Sequence, residues 1–534
     1  MLSEDRYFKT LSEDDLWKRY CGFFDLSIDA FMDIQKELLM DQIEMVSDSA
    51  LGKKIMGNQK PRSVEEFRQM VPLTTYEDYE PYLSERREDT LAVKPYLWCH
   101  SSGRGGSFKW VPHSAQSVEK AVRSYLAGAI LASCRRKGEV RLAPGTRILA
   151  ILAPPPYASG EAFRALSQIF SAHMMPSLET AETVEFQERI AQGFKMALRY
   201  GLDYIGSLAS ILVRLGEVFT EQSGRMKFSL FMLHPGVAFR LLRAWLRAKL
   251  EKRAILPKDI WQPKGILVSG VDTSIYKNSA AHYWGVVPLE LYGGTEGHTY
   301  ALQGWNRKGL TFLADMVFLE FIPYEEELKP QDNESYQPST VLLDEVEEGK
   351  LYEVIITQFY GMPLLRYRLN DVVKVIAMGD EEAGINLPQI AFQRRVGEVI
   401  NLGGLVWLDE KTVWQALYNT AVKFIEWAAC KEYDNNQTFL RLYLELNEER
   451  DADEVANMID EQLKLVDTNY WELHSSLDLK PVRVTLLSPG TFRHYTEEKG
   501  REGADLAHLK PAHMNPPELH IQRLLHFSEV GNEK

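Results

Sequence analysis

Hydroxyl and glycine residues are concentrated in the segment His100–Lys109, which lies between two short apolar runs. Its three glycines permit a tight backbone path, and the adjacent Ser101 and Ser102 hydroxyls, with free backbone N–H groups, are suited to surround a phosphate. Lys109 adds a positive charge. The segment is neither a Walker A loop nor a Gly-x-Gly-x-x-Gly fingerprint. By itself it favours a phosphate loop no more than a glycine hairpin without a ligand.

A second group of reactive side chains lies in Leu291–Gly297, directly after a strand-like run. Open α/β sheets bind ligands where their strands reach the carboxyl edge. Glu296 could hold Mg²⁺ beside a triphosphate, and Tyr292 could lie against a flat ring, with Gly293 and Thr295 between them. The alternative is a polar turn that contains a buried tyrosine.

A third segment, Leu365–Val373, places Asp371 behind two arginines and an asparagine. A carboxylate accepts hydrogen bonds from both hydroxyls of a ribose, so Asp371 has the chemistry of a nucleotide ligand. An Arg–Asp salt bridge at the entrance of a strand explains the same residues equally well.

A fourth segment, Arg395–Gly404, combines an arginine, the carboxylate of Glu398 and the glycine pair Gly403 and Gly404. A hinge between domains needs residues that tolerate large changes of φ and ψ. The segment therefore indicates a hinge, and an ordinary β-turn is the alternative.

The elements that carry these segments follow from the spacing of apolar residues. Residues 1–90 predict helices broken by turns, because apolar residues recur near every 3.6 positions. From about 95 to 320, short runs such as Arg147–Leu152 and Gly265–Gly270 alternate with longer amphipathic stretches, which predicts an α/β architecture with a largely parallel sheet. Four strand-like runs within 311–377 predict a more antiparallel β subdomain.

A domain boundary is predicted near Arg395. After it, the pattern predicts a helix at 409–428, a strand at 439–446, a helix at 452–465 and a strand at 481–487. Such a β/α tail is typical of a small second domain.

The composition excludes several classes of protein. The 534-residue chain is 45% hydrophobic and carries a net charge of −14, which argues against a nonspecific nucleic-acid binder. Its four cysteines form no Cys-x-x-Cys pair, which argues against a zinc site and a disulfide framework. The N-terminus is not a secretory signal, and the longest apolar run is about half of a membrane span. We expect a soluble cytoplasmic protein.

Taken in this order, the four segments resemble the motifs of the adenylate-forming superfamily, which comprises acyl-CoA synthetases, luciferases and the adenylation domains of peptide synthetases. Within it, the sequence most resembles the auxin-responsive acyl-acid amido synthetases. Three further stretches look like that branch: Phe318–Pro323, Gly349–Thr357 and Gly490–Phe492. The likeness is continuous from about 95 to 400 and thinner in the tail.

The resemblance implies a fold and a reaction. The fold is α/β, with a large N-terminal domain of parallel and mixed sheets plus a β subdomain (1–394), a hinge (395–404) and a smaller mobile α+β C-terminal domain (405–534). In the reaction, a carboxylate attacks the α-phosphate of ATP to give an acyl adenylate and pyrophosphate. An amino-acid amine then displaces AMP, which forms an amide. The implied cofactors are ATP and Mg²⁺.

The resemblance also assigns roles to residues. Asp371 would hold the ribose, Tyr292 would lie against adenine, and Glu296 would coordinate Mg²⁺. Arg395 would reach the nucleotide from the hinge, and Lys510 would be the catalytic lysine of the C-terminal domain. The remaining nucleotide-binding residues would be Ser101, Ser102, Gly103, Lys109, Gly270, Gly293 and Thr295.

The sequence departs from the family pattern in three places. Arg104 and Gly105 stand where a threonine or serine usually follows Ser-Ser-Gly. Asn370 replaces the glycine before the aspartate, although asparagine tolerates a positive φ better than most residues. The C-terminal lysine motif is not clear, and Lys510 is equally well a surface lysine.

Two rival functions remain open. The first keeps adenylation but passes the acyl group to coenzyme A or another thiol. The second is a nucleotide-binding protein of the same fold that has lost catalysis, as the departures at Arg104, Gly105 and Asn370 and the unclear lysine motif suggest. Separately, the basic amphipathic helix Phe239–Arg253 is interpreted as a packed helix with a solvated basic face, and a membrane surface is its less favoured alternative.

Overall fold

The computed structural model describes residues 2–101, 109–184, 186–223, 234–270, 273–324, 337–396, 399–402, 406–434, 437–467, 470–471, 482–501 and 512–532. Among these residues the chain forms two compact units, the first ending at Gln393 and the second beginning at Arg394. None of the helices in the described ranges is long and apolar enough to cross a membrane.

Helices make up much of the first unit, as the helical spacing predicts. In chain order they are α1 Ser3–Thr10, α2 Glu13–Cys21, α3 Ile28–Val46, α4 Ala50–Met56, α5 Val64–Met70, α6 Ala115–Ser133, α7 Ala158–Ile169, α8 Leu178–Thr183, α9 Phe186–Tyr200, α10 Ala209–Ser223, α11 Pro235–Leu250, α12 Pro257–Ile260 and α13 Thr273–Trp284. A serine side chain caps the N-terminus of α2 to α6 and of α8, where it accepts a backbone N–H that the helix cannot satisfy itself.

The strands of the first unit form a hairpin and one large sheet. They are β1 Leu97–His100, β2 Trp110–His113, β3 Thr146–Ile151, β4 Ala172–Met175, β5 Tyr204–Leu208, β6 Gly265–Ser269, β7 Leu289–Gly294, β8 His298–Gln303, β9 Leu310–Phe312, β10 Val317–Pro323, β11 Leu351–Gln358, β12 Tyr367–Ala377 and β13 Gln389–Arg395. The sheet has eleven strands in the order β10-β11-β12-β13-β9-β8-β7-β6-β5-β3-β4.

The sheet has a parallel half and an antiparallel half. Strands β3 to β7 pair in parallel, whereas β7–β8, β8–β9, β9–β13, β12–β11 and β11–β10 pair antiparallel. The antiparallel strands expected as a subdomain therefore continue the parallel sheet.

The parallel half is buried on both faces. Along β3, Ile148 belongs to one hydrophobic core and Leu149 to the other, and Tyr204 and Ile205 of β5 divide in the same way. Successive residues of a strand point to opposite faces of the sheet. A strand that is covered by helices on both faces therefore needs apolar residues at consecutive positions.

A buried ion pair connects the antiparallel strands to the helical region. The Arg366 guanidinium donates to both carboxylate oxygens of Glu320 on β10, with Nη2 2.8 Å from Oε1. It also donates to the backbone carbonyls of Arg68 and Val71, at 2.7 and 2.6 Å. Both charged side chains are almost completely buried. The donors of one arginine thus hold the end of α5 against β10 and the start of β12.

The second unit is a smaller α/β structure. Its elements are β14 Val399–Leu402, β15 Val406–Asp409, α14 Glu410–Asn419, β16 Phe424–Asp434, β17 Gln437–Leu446, α15 Ala452–Val466, β18 Val482–Leu487, α16 Thr491–Arg501 and α17 Glu518–Asn532. β16 and β17 pair antiparallel and β17 and β18 pair parallel, and α15 packs on this sheet.

One sequence prediction for this unit is wrong. The helix predicted at 409–428 ends at Asn419, and residues from Phe424 onward form β16 instead. Ala421 adopts φ +58°, a left-handed conformation that ends the helix. The strand then buries Trp427 in the core of the second unit, so tertiary burial outweighs the helical spacing that continued through the turn.

We expect Arg366→Met to lower the free energy of unfolding by about 3–5 kcal/mol, because the variant leaves the Glu320 carboxylate buried without its cation. Denaturant unfolding followed by circular dichroism measures this loss. The matched control is Arg87→Met, which breaks the exposed Arg87–Asp89 pair and should shift the unfolding midpoint little. Equal midpoints for Arg366→Met and the wild type would contradict the prediction.

Candidate functional site

The first motif lies at the end of the β1–β2 hairpin. The Ser101 N–H donates to the Lys109 carbonyl at 3.0 Å, and the Lys109 N–H lies 3.4 Å from Ser101 Oγ. Ser101 and Lys109 therefore face each other across the two chains of the hairpin. Ser102 and Gly103 lie outside the described residues, as does Arg104. The described part has the backbone of a hairpin, and its role in phosphate binding stays a prediction.

Tyr76 supports this hairpin from below. Its hydroxyl accepts the Trp110 N–H at 2.8 Å, and Lys109 Nζ lies 5.3 Å from the centre of its ring. Burial raises the pKa of Tyr76 to about 12, and the carboxylates of Glu80 and Glu296 add to the rise. Because the charge of Glu296 raises the pKa of Tyr76, the turn of the second motif lies near the hairpin of the first.

The second motif forms the tight connection between β7 and β8. A Cβ on Gly293 would lie 1.9 Å from the carbonyl oxygen of His298, and a Cβ on Gly294 would lie 2.9 Å from Glu296 Oε2. Only glycine fits at the first position, because the two chains approach too closely for any side chain. Gln358 Nε2 donates to the Glu296 carbonyl at 2.6 Å and holds the turn. The Glu296 side chain is half-buried at the carboxyl end of β7.

A buried histidine joins the first two motifs. His113, the last residue of β2, donates from Nε2 to the Thr295 carbonyl at 2.8 Å. Its ring lies 4.1 Å from that of His298. Burial lowers the pKa of His113 to about 4 and holds that of His298 well below its usual value, so both rings are neutral at pH 7. The hairpin and the Thr295–Glu296 turn are thereby connected without introducing a charge.

A hydrogen bond joins the second and third motifs. The Tyr292 hydroxyl donates to Asp371 Oδ2 at 3.0 Å, although the two residues are 79 positions apart. Both side chains are buried, and the Tyr292 ring lies 5.2 Å from Tyr300 and 5.9 Å from Phe392. The adenine contact predicted for Tyr292 stays a prediction.

A bulge in β12 directs Asp371. Glu353 of β11 pairs with Val372 and Ile355 pairs with Arg368, so three residues of β12 stand opposite one of β11. Asn370 takes φ +59° within this bulge, the conformation expected when asparagine replaces glycine there. Bulges of this kind re-aim side chains beside active sites. The arginines of the motif pair with glutamates, Arg366 with Glu320 and Arg368 with Glu353.

Gly270 lies at the same edge of the sheet. Ser269 at the end of β6 pairs with Leu291 of β7, so Gly270 and Tyr292 each follow by one residue at neighbouring carboxyl ends. Gly270 has φ +133° and accepts a hydrogen bond from the Thr273 hydroxyl at 3.1 Å. The location agrees with the rule that open sheets bind ligands where their strands end.

The Glu296 carboxylate is a candidate ligand for a metal at this edge. Among the described residues, no three His, Cys, Asp or Glu side chains gather as a potential metal site. Mg²⁺ in nucleotide sites is usually held by one or two carboxylates together with phosphates and water. The half-buried Glu296 fits that donor set, since the phosphates of the nucleotide would supply the other oxygens.

Arg395 is the last residue of β13, whose final two residues belong to the second unit. Glu398, Gly403, Gly404 and Lys510 lie outside the described residues. The roles of Arg395 and Lys510 therefore stay predictions.

The residues that follow Lys510 are anchored by a buried histidine. His513 hydrogen-bonds through Nδ1 to Glu410 at the start of α14 and through Nε2, at 2.8 Å, to Glu426 on β16. Its ring stacks on Trp427, with centroids 4.4 Å apart. Burial alone would lower the pKa of His513, but the carboxylates of Glu426 and Glu410 raise it to about 10. His513 is therefore a cation at neutral pH.

The backbone around His513 also pairs with β16. The Ala429 N–H donates to the His513 carbonyl at 2.6 Å, and the Asn515 N–H donates to the Ala429 carbonyl at 2.8 Å. His513 follows Lys510 by three positions in the sequence. These hydrogen bonds hold the backbone at His513 against β16.

Sequence reasoning missed the residues that hold the motifs together. None of Tyr76, Gln358 and His513 belongs to a motif recognised in the sequence. Each acts through a contact distant in sequence with a backbone atom or a carboxylate. No spacing within the chain signals such contacts.

Models of one family match successive parts of the chain. The GH3 family N-terminal domain matches residues 22–179, the GH3 family central domain matches 310–395 and the GH3 family C-terminal domain matches 411–517. These matches agree with the resemblance drawn from the motifs.

Two curated plant proteins illustrate the relationship. Jasmonoyl–L-amino acid synthetase GH3.5 of Oryza sativa subsp. japonica is 27% identical over 297 residues, which are 49% of this chain and 47% of the relative. Indole-3-acetic acid-amido synthetase GH3.2 of Arabidopsis thaliana is 30% identical over 172 residues, 30% of this chain and 29% of the relative. The chain thus spans about half the length of the first of these relatives, and less of the second.

Solved structures share the fold over nearly the whole chain. The acyl acid amido synthetase AtGH3.15 in complex with 2,4-DB has a TM-score of 0.69 at 17% identity, covering 97% of both chains. 2-Hydroxyisobutyryl-CoA ligase in the postadenylation state has a TM-score of 0.62 at 13% identity, covering 97% of this chain and 96% of the ligase. The predicted fold class is confirmed.

We predict that the free energy of unfolding falls more steeply between pH 7 and 10 in the wild type than in His513→Gln. The folded pKa of about 10 lies above the unfolded value of about 6.5, so the stabilisation is complete below about pH 6.5 and is lost as the pH rises toward 10. One proton corresponds to a slope of about 1.4 kcal/mol per pH unit. Denaturant unfolding at pH 7, 8 and 9 measures the slopes, and His526→Gln, at an exposed position, is the control. Parallel slopes for the wild type and His513→Gln would disprove the assignment.

Proposed function

Because this chain belongs to the GH3 family, we propose that it activates a carboxylic acid with ATP and transfers the acyl group to the amine of an amino acid. The plant relatives named above are amido synthetases, which supports an amide as the product. The observation that carries the proposal is the connection of three motifs within the first unit. His113 links the hairpin of Ser101 to Thr295, and Tyr292 links the same turn to Asp371.

The nucleotide would bind at the carboxyl ends of β6 and β7. Asp371 accepts the ribose hydroxyls, held in position by the Tyr292 hydroxyl on Oδ2. The hydroxyls of Ser101 and Ser102, with the backbone of Gly103, surround the phosphates, and Lys109 contributes positive charge nearby. Gly270, Gly293 and Thr295 provide the close backbone path along the nucleotide.

Glu296 would hold Mg²⁺ together with phosphate oxygens. The ion, when bound, neutralises the charge that the triphosphate carries toward an anionic acid. The hydrogen bond from Gln358 to the Glu296 backbone holds the turn that carries this carboxylate.

The two steps balance without a further reactant. An oxygen of the substrate carboxylate forms a bond to the α-phosphorus as the bond to pyrophosphate breaks, which leaves an acyl adenylate. The amine nitrogen then bonds to the acyl carbon, the bond to the AMP oxygen breaks, and the amine gives up a proton. The protein contributes mainly position and charge neutralisation, as in other phosphoryl-transfer sites.

The second unit would complete the site as a lid. In this proposal residues 395–404 are a hinge between the domain 1–394 and the domain 405–534, Arg395 reaches the nucleotide, and Lys510 contacts the reacting phosphate. We also propose a cytoplasmic location, which is supported by four cysteines that are all free thiols.

We predict that Asp371→Asn raises the dissociation constant for ATP at least about tenfold, because each hydrogen bond to a charged acceptor contributes about 1.5–3 kcal/mol. Isothermal titration calorimetry measures the constant. Asparagine keeps the shape and can still accept the Tyr292 hydroxyl, so folding should persist. The matched control is Tyr292→Phe, which keeps the ring and the carboxylate and should weaken ATP binding less. Unchanged affinity in a folded Asp371→Asn protein would remove Asp371 from the site.

Exchange of labelled pyrophosphate into ATP, dependent on an added acid, tests the first step. We expect exchange with at least one member of a panel of aryl and aliphatic acids, and a large loss of exchange in Lys510→Ala compared with the matched variant Lys499→Ala. ATP binding without exchange for any acid would favour the lapsed enzyme. Mass spectrometry after addition of amino acids or coenzyme A then distinguishes an amide from a thioester, and a thioester alone would overturn the amide assignment.

A further inference from the structure

Helix α11 is attached to the first unit by one narrow face. Its buried residues are Val237, Ala244 and Ala248. Arg240 donates to the Leu198 carbonyl at 2.9 Å and Arg243 to the Ile260 carbonyl at 3.1 Å, which ties the helix to α9 and α12. Because the residues facing the protein are small, the large apolar side chains of the helix are left on its other faces.

Those large side chains form an outward stripe. Phe239, Leu242, Leu246 and Leu250 are 68%, 56%, 48% and 83% exposed, and Trp245 beside them is 47% exposed. A spacing of three, four and four residues places the first four on a single helix face. Among the described residues, every other helix or strand has at most one large apolar side chain as exposed as these. The concentration on α11 is therefore a specific feature of this surface.

Positive charges border the stripe. Arg247 lies on the helix, Lys249 lies 4.7 Å from the Trp245 ring, and Lys252 follows the last turn. Glu251, just after the helix, pairs with Arg247 and Arg253, and Asp259 also pairs with these arginines. Lys249 and Lys252 are exposed beside the stripe, in a chain whose net charge is −14. The local charge is thus opposite to that of the protein as a whole.

The protruding apolar side chains and the neighbouring positive charges of α11 together indicate what kind of partner it binds. A second copy docking through the same face would place the basic residues of two helices against each other, which like-charge repulsion disfavours. A protein partner would need a groove for side chains that protrude from a helix, whereas the boundary of a bilayer accepts them directly. Aromatic and leucine side chains flanked by lysine and arginine are suited to lie among anionic headgroups.

We propose that the outward face of α11 docks the protein on an anionic lipid surface. The helix lies along the surface, because its 16 residues are too few to span a bilayer core. Since the remainder of the protein is acidic, it is repelled by the same surface, so contact is restricted to α11 and sets one orientation. The inference is independent of the proposed enzymatic activity.

Flotation of the full chain with vesicles tests the proposal. We expect binding to vesicles of phosphatidylcholine with 30% phosphatidylglycerol, weaker binding to phosphatidylcholine alone, and loss of the difference in 1 M salt, where the Debye length falls to about 3 Å. Leu246→Asp with Leu250→Asp should lower partitioning at least about tenfold, as expected from losing the burial of a leucine. Lys249→Glu with Lys252→Glu should abolish the preference for anionic vesicles.

The matched control is Leu465→Asp, which introduces the same charge at a leucine that is 77% exposed in the second unit. Its vesicle binding should equal that of the wild type, and all variants should share the wild-type unfolding midpoint. Absence of wild-type binding to either vesicle overturns the proposal, as does binding that the α11 variants leave unchanged. Concentration-dependent dimerisation that Leu246→Asp with Leu250→Asp removes, without vesicle binding, would assign the face to a second copy instead.

Discussion

The hydrogen bond between Tyr292 and Asp371 joins two strands that stand far apart in the order of the large sheet. β7 and β12 are four places apart in the sheet order, and neighbouring strands lie about 4.8 Å apart, so a flat sheet would separate them by roughly 19 Å. A direct 3.0 Å contact between their side chains requires the antiparallel strands to curl back over the carboxyl edge of the parallel half. The Arg366–Glu320 pair holds the start of β12 against β10, and the bulge before Val372 bends β12. The candidate site lies where β12 of the antiparallel half meets the carboxyl end of β7.

Burial sets the charge of each histidine according to the atoms that face it. His113 faces a carbonyl and a second histidine, so it remains neutral and donates one hydrogen bond. His513 faces Glu410 and Glu426, so it remains a cation that holds two carboxylates together. His113 positions the turn that carries Glu296, and His513 positions the backbone shortly after Lys510 in the sequence. The proposed reaction assigns a role to both Glu296 and Lys510. Each contact tolerates little substitution, because a buried polar group that loses its partner is strongly destabilising.

The sequence predicts secondary structure and motifs within short segments, but it does not predict contacts between residues far apart in the chain. The alternation of runs predicts the parallel strands because they are buried on both faces, and the order of the four motifs correctly indicated the family. Asn370 was expected to permit a positive φ, and φ is +59°. The helix predicted through 428 is wrong because the core of the second unit buries Trp427 in a strand. That the antiparallel strands of the expected β subdomain continue the parallel sheet could not be predicted, because no pattern within a strand shows which neighbour it will pair with. The partnership of Tyr292 with Asp371 is hidden for the same reason.

The amphipathic sequence of helix α11 does not determine which of its faces packs against the protein. The same sequence is compatible with leucine and phenylalanine facing a core and arginine facing water, which is the interpretation that its composition first favoured. The structure reverses that interpretation because small residues at 237, 244 and 248 permit close packing and occupy the inward face. Arg240 and Arg243 then turn part of the basic charge inward, to backbone carbonyls. What remains outside is apolar in the centre and basic at the border. That arrangement is costly in water, so its presence on a well-attached helix argues for a surface that covers it.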